Sequence, residues 1–127
     1  MAKNIVEWFE IPVSDMNRAI RFYETVFGYK IERHQLGPLD MGWFPWDPEG
    51  TGAGGSLVLN KENYKPSQEG VLIYLTASSG ELSNEIGKVE KAGGKVLMAK
   101  TQISEEYGYM ALFLDTEGNR VALHSRK

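Results

Sequence analysis

The chemistry open to this chain of 127 residues is narrowed first by its two histidines, His34 and His124, and by its lack of cysteine. Without thiols there is no disulfide framework, thiolate metal site, iron–sulfur cluster or cysteine nucleophile. Two imidazoles cannot furnish a three-histidine zinc site. Proton transfer remains open. Glu10 and His124 form the candidate catalytic pair, because a carboxylate beside an imidazole raises its pKa and suits a general acid/base dyad. The alternative for His124 is a hydrogen-bonded wall residue at a strand end, or a solvated ring beside Ser125-Arg126-Lys127. His34 follows Glu32-Arg33 and is expected at the surface.

Aromatic side chains form the second set with chemical meaning. Trp8, Trp43, Phe44, Trp46, Tyr74, Tyr107 and Tyr109 fall mostly on segments that read as strands. Indole and phenol rings bury a large apolar area and keep one polar handle, which suits a flat or partly apolar organic ligand. The competing roles are core filling and a dimer interface, where aromatics are also enriched. Gly50, Gly52, Gly54 and Gly55 surround a turn in this region, read as a lid or a flexible hairpin. Glycine density alone does not make a phosphate loop. With 14 basic and 17 acidic residues the net charge is −3, so there is no basic footprint for nucleic acid. No stretch reaches the length of a membrane span and Met1-Ala2-Lys3-Asn4 opens no apolar signal region, so a cytoplasmic protein is expected.

The elements that position these residues repeat. Ile5–Pro12 is β-branched and aromatic and reads as a strand. Ser14 and Asp15 open a helix carrying Met16, Ala19, Ile20, Tyr23 and Phe27 on one stripe, and Gly28 ends it. Strands are expected at Tyr29–Leu36, Met41–Trp46 and Gly54–Asn60, separated by Gly37-Pro38 and Asp47-Pro48-Glu49-Gly50. The second half follows the same order. A strand at Gly70–Ala77 precedes a helix at Glu81–Ala92, which Gly93-Gly94 ends. Strands at Lys95–Ile103, Tyr107–Leu114 and Asn119–Ser125 follow, the last two joined by Asp115-Thr116-Glu117-Gly118.

An offset of 66 residues places Trp8 on Tyr74, Asp15 on Glu81, Gly28 on Gly94, Ser56 on Ala122 and Leu57 on Leu123. The two acidic turns match at 68. The fold class is therefore α+β: one domain over 1–127, made of βαβββ modules at 4–60 and 70–126, which curve into an incomplete barrel with helices outside. Strand alternation then sends Phe9, Ile11, Leu57, Leu59, Val71, Ile73, Leu75, Val121 and Leu123 under the helices. Trp8, Glu10, Ser56, Tyr74, Ala122 and His124 face a central cup.

Ile11-Pro12-Val13-Ser14-Asp15, the helix from Arg18 to Gly28 and Asp115-Thr116-Glu117-Gly118-Asn119 resemble the vicinal oxygen chelate superfamily. That group includes glyoxalase I, bleomycin and fosfomycin resistance proteins and extradiol dioxygenases. The resemblance implies the glyoxalase/bleomycin resistance/dihydroxybiphenyl dioxygenase-like fold, and the chain looks most like bacterial glyoxalase-related members. In metal-dependent relatives His, Glu or Gln ligands stand at positions that correspond here to Trp8, Ser56, Tyr74 and Ala122. None of these is a good divalent-metal ligand, so the resemblance implies no metal and no other cofactor. A glyoxalase-type isomerisation would lose both its Lewis acid and its base.

Three readings follow. One is a protein that binds a small molecule in an aromatic cup formed by Trp8, Trp43, Trp46, Ser56, Tyr74, Tyr109, Ala122 and His124. Another is a metal-independent lyase or isomerase using His124, Glu10 or Tyr74 on a small oxygenated metabolite. The third is a structural dimer whose cup is filled by its own aromatics. A homodimer is expected from the resemblance.

Overall fold

Alternating apolar residues and well-placed helix caps produce the expected order of elements twice in the computed structural model, which describes residues 4–127. The first module contains β1 (Trp8–Pro12), α1 (Met16–Phe27), β2 (Glu32–Leu36), β3 (Leu39–Trp43) and β4 (Gly54–Leu59). The second contains β5 (Tyr74–Thr76), α2 (Leu82–Ile86), β6 (Lys95–Ser104), β7 (Gly108–Leu114) and β8 (Arg120–Ser125). Each module forms one four-stranded mixed sheet, ordered β1-β4-β3-β2 and β5-β8-β7-β6. In both sheets the first and last strands of the module run parallel and the other pairs run antiparallel. The sheets remain separate and are not closed into a barrel.

Asp15 caps α1 by accepting from the Arg18 amide at 3.1 Å, and Gly28 ends it in the left-handed region at φ 78°. The buried face of α1 is wider than the expected stripe, since Phe22 and Val26 are buried beside Met16, Ala19, Tyr23 and Phe27. These residues meet Ile11, Leu57, Leu75, Phe113, Val121 and Leu123 in one core between the helices and the two sheets. Val71 does not join it: it lies before β5 and is exposed.

The second helix is much shorter than the sequence indicates. Beyond Ile86 the chain continues in turns, with the amides of Lys88 and Val89 bonded to carbonyls three residues back. Gly87 offers no helix propensity where the bonding tightens, yet Val89 stays fully buried, so the apolar stripe is preserved. The left-handed stop is Gly93 (φ 103°), one position before the residue that the 66-residue offset pairs with Gly28.

Strand registers also correct the offset. Trp8 lies opposite Gly54, and Tyr74 lies opposite Ala122. The 66-residue offset therefore cannot hold both for Trp8 with Tyr74 and for Ser56 with Ala122. The pairing of β6 with β7 slips at three places.

One turn fastens the modules together. The Glu117 side chain, fully enclosed, accepts from the amides of Ser14 and Asp15, the Ser14 hydroxyl, Thr116 and both Nε and Nη2 of Arg18. Burial pushes its pKa up, but these donors outweigh burial and hold the carboxylate down at about 2. Asp115 accepts from the buried Tyr23 hydroxyl at 2.7 Å and from the Glu117 and Asn119 amides. Among the described residues no cation pairs with it, and burial raises its pKa. Asn119 completes the joint by donating to the Pro12 carbonyl.

Candidate functional site

On the first sheet the core-facing positions are fixed by Ile11, Leu57 and Phe44, which leaves Trp8, Glu10, Ser56, Trp43 and His34 on the opposite face. Trp8 and Trp43 meet edge to face with centroids 5.7 Å apart, and His34 lies over Trp43 at 4.2 Å. Trp46 follows β3 in a loop, is 66% exposed and rests where a Gly54 side chain would stand. A Cβ there would come within 2.8 Å of Trp46 and 3.3 Å of Trp8. Gly54 and Gly55 are thus strand residues that admit aromatic rings, not parts of a lid.

Glu10 is anchored inside this cluster. Its Oε1 accepts from the Tyr64 hydroxyl at 2.7 Å and its Oε2 from the Trp8 indole at 3.3 Å. The Glu10 hydrogen bond is the main reason that the Tyr64 pKa is raised. Tyr64 comes from the connection between the modules and carries no strand pattern, so sequence reasoning passed over it.

Three polar atoms on this face are buried without a hydrogen-bond partner: Trp43 Nε1, Ser56 Oγ and His34 Nε2. Ser56 is wholly buried and stands between Glu10 and Trp43 in the register. His34 is nearest to an ion pair with Glu32 at 3.6 Å, too long for a hydrogen bond. His34, expected at the surface, keeps 37% of its side chain exposed and also joins the aromatic cluster through Trp43. Its strand is otherwise exposed, which hid the ring contact from the pattern.

The second sheet carries a separate group. Tyr74 is half exposed and its hydroxyl points at the Met110 sulfur at 3.8 Å. Ala122 lies buried between Tyr74 and Leu112 in the register. His124 places Nε2 2.5 Å from the Tyr107 carbonyl. A carbonyl only accepts, so Nε2 is the donor in this contact. Among the described residues no hydrogen bond joins His124 to Glu10, whose two oxygens are held by Tyr64 and Trp8.

Tyr109 departs from the expected cup. It has the parity of the buried Ala111 and Phe113, packs on the helix-side core and lies beneath the Lys100 ammonium at 4.4 Å. Lys100 pairs in turn with Glu81, the residue that caps α2. The slips in β6 do not alter the β7–β8 register, so strand alternation puts Tyr109 against α2.

Comparison with known proteins matches residues 5–123 to the model of the Glyoxalase/Bleomycin resistance protein/Dioxygenase superfamily. The chain belongs to this superfamily. A glyoxylase-like domain-containing protein from Didymella fabae is 28% identical over 122 residues, covering 95% of this chain and 93% of its own. Among solved structures, hypothetical protein SA1046 from S. aureus superposes with a TM-score of 0.68 at 23% identity, covering 98% and 95% of the two chains. TnmS3, an antibiotic-binding protein from Streptomyces sp. CB03234, gives 0.63 at 22% identity, covering 100% and 99%. At these identities the solved structures establish a shared fold.

Set on this superfamily member, the positions that the resemblance assigns to metal ligands hold an indole, a phenol and a methyl group at Trp8, Tyr74 and Ala122. The fourth holds the Ser56 hydroxyl. That donor set does not fit a divalent metal. Among the described residues no three His, Asp or Glu side chains gather into a metal-binding group. No described helix is long and apolar enough to cross a membrane.

Proposed function

We propose that this glyoxalase-like protein binds a small, partly flat organic molecule on the aromatic face of its first sheet, without a metal, as a cytoplasmic homodimer. The observation that carries the reading is the pairing of two exposed indoles, Trp8 and Trp46, with the unpartnered Trp43 Nε1 and Ser56 Oγ. Buried donors left unpaired cost stability, and a ligand acceptor would satisfy them. The rings supply stacking area. A structural neighbour that binds an antibiotic supports the class of function by analogy. Exposed Tyr74 and Tyr107 supply further apolar surface that a second copy would cover.

Tryptophan emission titrated against planar aromatic compounds tests the proposal. Trp43→Phe keeps the ring but removes the N–H, and affinity should fall about tenfold. A panel that moves neither emission nor thermal stability would defeat the binding reading. Stoichiometric metal in the purified protein would defeat the metal-free one. A second reading, proton transfer in a lyase or isomerase, is supported by the imidazole of His124. If His124→Ala leaves turnover of a discovered substrate unchanged, that reading fails.

A further inference from the structure

Where β1 meets the start of β8, the connection between the modules borders a cavity of about 160 Å³ that opens to solvent beside the exposed Val71. Its apolar wall includes Val71 and Ile73, and its polar residues include Glu10, Lys65, Asn119 and Arg120. The donors of Asn119 are spent on the Pro12 carbonyl and Asp115, and its oxygen accepts from the Ser67 amide. Both Glu10 oxygens are taken by Tyr64 and Trp8. Arg120 differs: its Nε is enclosed without any hydrogen-bond partner. Among the described residues neither Arg120 nor Lys65 forms an ion pair.

We infer that this seam cavity is a binding site for a small organic carboxylate, with Arg120 as its bidentate partner and Lys65 at its rim. A guanidinium presents a planar fork that matches a carboxylate, and Arg120 lines the cavity with no ion-pair partner among the described residues. Apolar walls suit a hydrocarbon body more than a fully hydrated anion. The cavity's volume of about 160 Å³ is enough for a ring or short-chain acid with its carboxylate towards Arg120 and its body towards the solvent-open side. The site is distinct from the aromatic face, with Glu10 as the shared wall, and does not depend on that face binding a ligand.

Benzoate is a suitable probe, titrated by thermal shift and calorimetry at fixed ionic strength, with inorganic phosphate as the parallel arm. The expected result is saturable stabilisation by benzoate and little response to phosphate. Arg120→Gln should weaken benzoate by about tenfold or more. Because Arg120 is partly buried, Lys65→Gln provides a second measurement at an exposed position and should weaken benzoate about threefold. Absence of saturable binding at tens of millimolar would overturn the proposal, as would equal responses to phosphate and benzoate. So would a folded Arg120→Gln protein that binds benzoate like the parent. Loss of benzoate binding in Trp43→Phe, with retention in Arg120→Gln, would place the probe on the aromatic face and overturn the seam site without touching the cup reading.

Discussion

Replacing Glu117 by Gln should loosen the joint between the modules in a way that pH reveals. Every partner of this side chain is a donor, so an amide placed there sets one NH₂ group against Arg18, Ser14 or Thr116. The native carboxylate sits at about 2, against 4.5 for an unperturbed glutamate. A folded-state pKa below the unfolded one stabilises the fold fully above pH 4.5, and that contribution is lost as pH falls towards 2. Its full size is about 3 kcal/mol, reduced to about 2 kcal/mol because Arg18 is exposed and screened. For a chain of this length, about 2 kcal/mol corresponds to a fall in Tm of about 8 °C. Urea unfolding at closely spaced pH values from 7 to 3 measures the difference. The gap between parent and Glu117→Gln should be widest near neutrality and close in acid. Parallel curves, or a neutral-pH gap below about 0.5 kcal/mol, would show that the Glu117 contacts do not carry the joint.

Removing the Tyr23 hydroxyl in Tyr23→Phe takes a donor from buried Asp115 and should cost about 1.5–3 kcal/mol at pH 7 in urea unfolding. The cost should shrink as pH falls through the raised pKa of Asp115 and that carboxyl takes up its proton. Gly54→Ala should displace Trp46 and alter tryptophan emission, at a stability cost below about 1 kcal/mol because the indole is exposed and free to swing aside. A larger loss would mean that the loop is held rigidly against β4. Tyr109→Leu should lower stability by about 1 kcal/mol through loss of the Lys100 contact, and leave ligand titrations of the aromatic face unchanged.

Much of this arrangement was legible from residue order. Capping by Asp15, the stop at Gly28 and alternation in β1 and β8 are local rules, and each survives in the folded chain. The duplication paired Trp8 with Tyr74 and Ser56 with Ala122 at one spacing. Trp8, however, lies opposite Gly54 while Tyr74 lies opposite Ala122, so the two pairings do not hold together. A two-residue shift of this kind leaves no mark in hydropathy. Length was the main error in α2: a glycine and i+3 bonding shorten a helix whose buried stripe reads as continuous. In the site, Trp8, Trp43, Trp46, Glu10 and Ser56 were visible as types on a common face. Tyr64 and His34 were not. One is delivered by an irregular connection, and the other is held by a single ring contact, so neither leaves a periodic signal.

The two halves look alike, but only one of their two corresponding turns is fastened. Asp115 and Glu117 reach across to α1, whereas among the described residues Asp47 serves the amides of Glu49 and Gly50 in its own exposed turn. A pair of near-copies bolted at one corner behaves like a door with a single row of screws. Distortion costs least at the unfastened corner, and that corner carries Trp46 beside the open edge of the aromatic face. Duplication supplied two equal frames, and the unequal turns give the assembly a pivot and a free side.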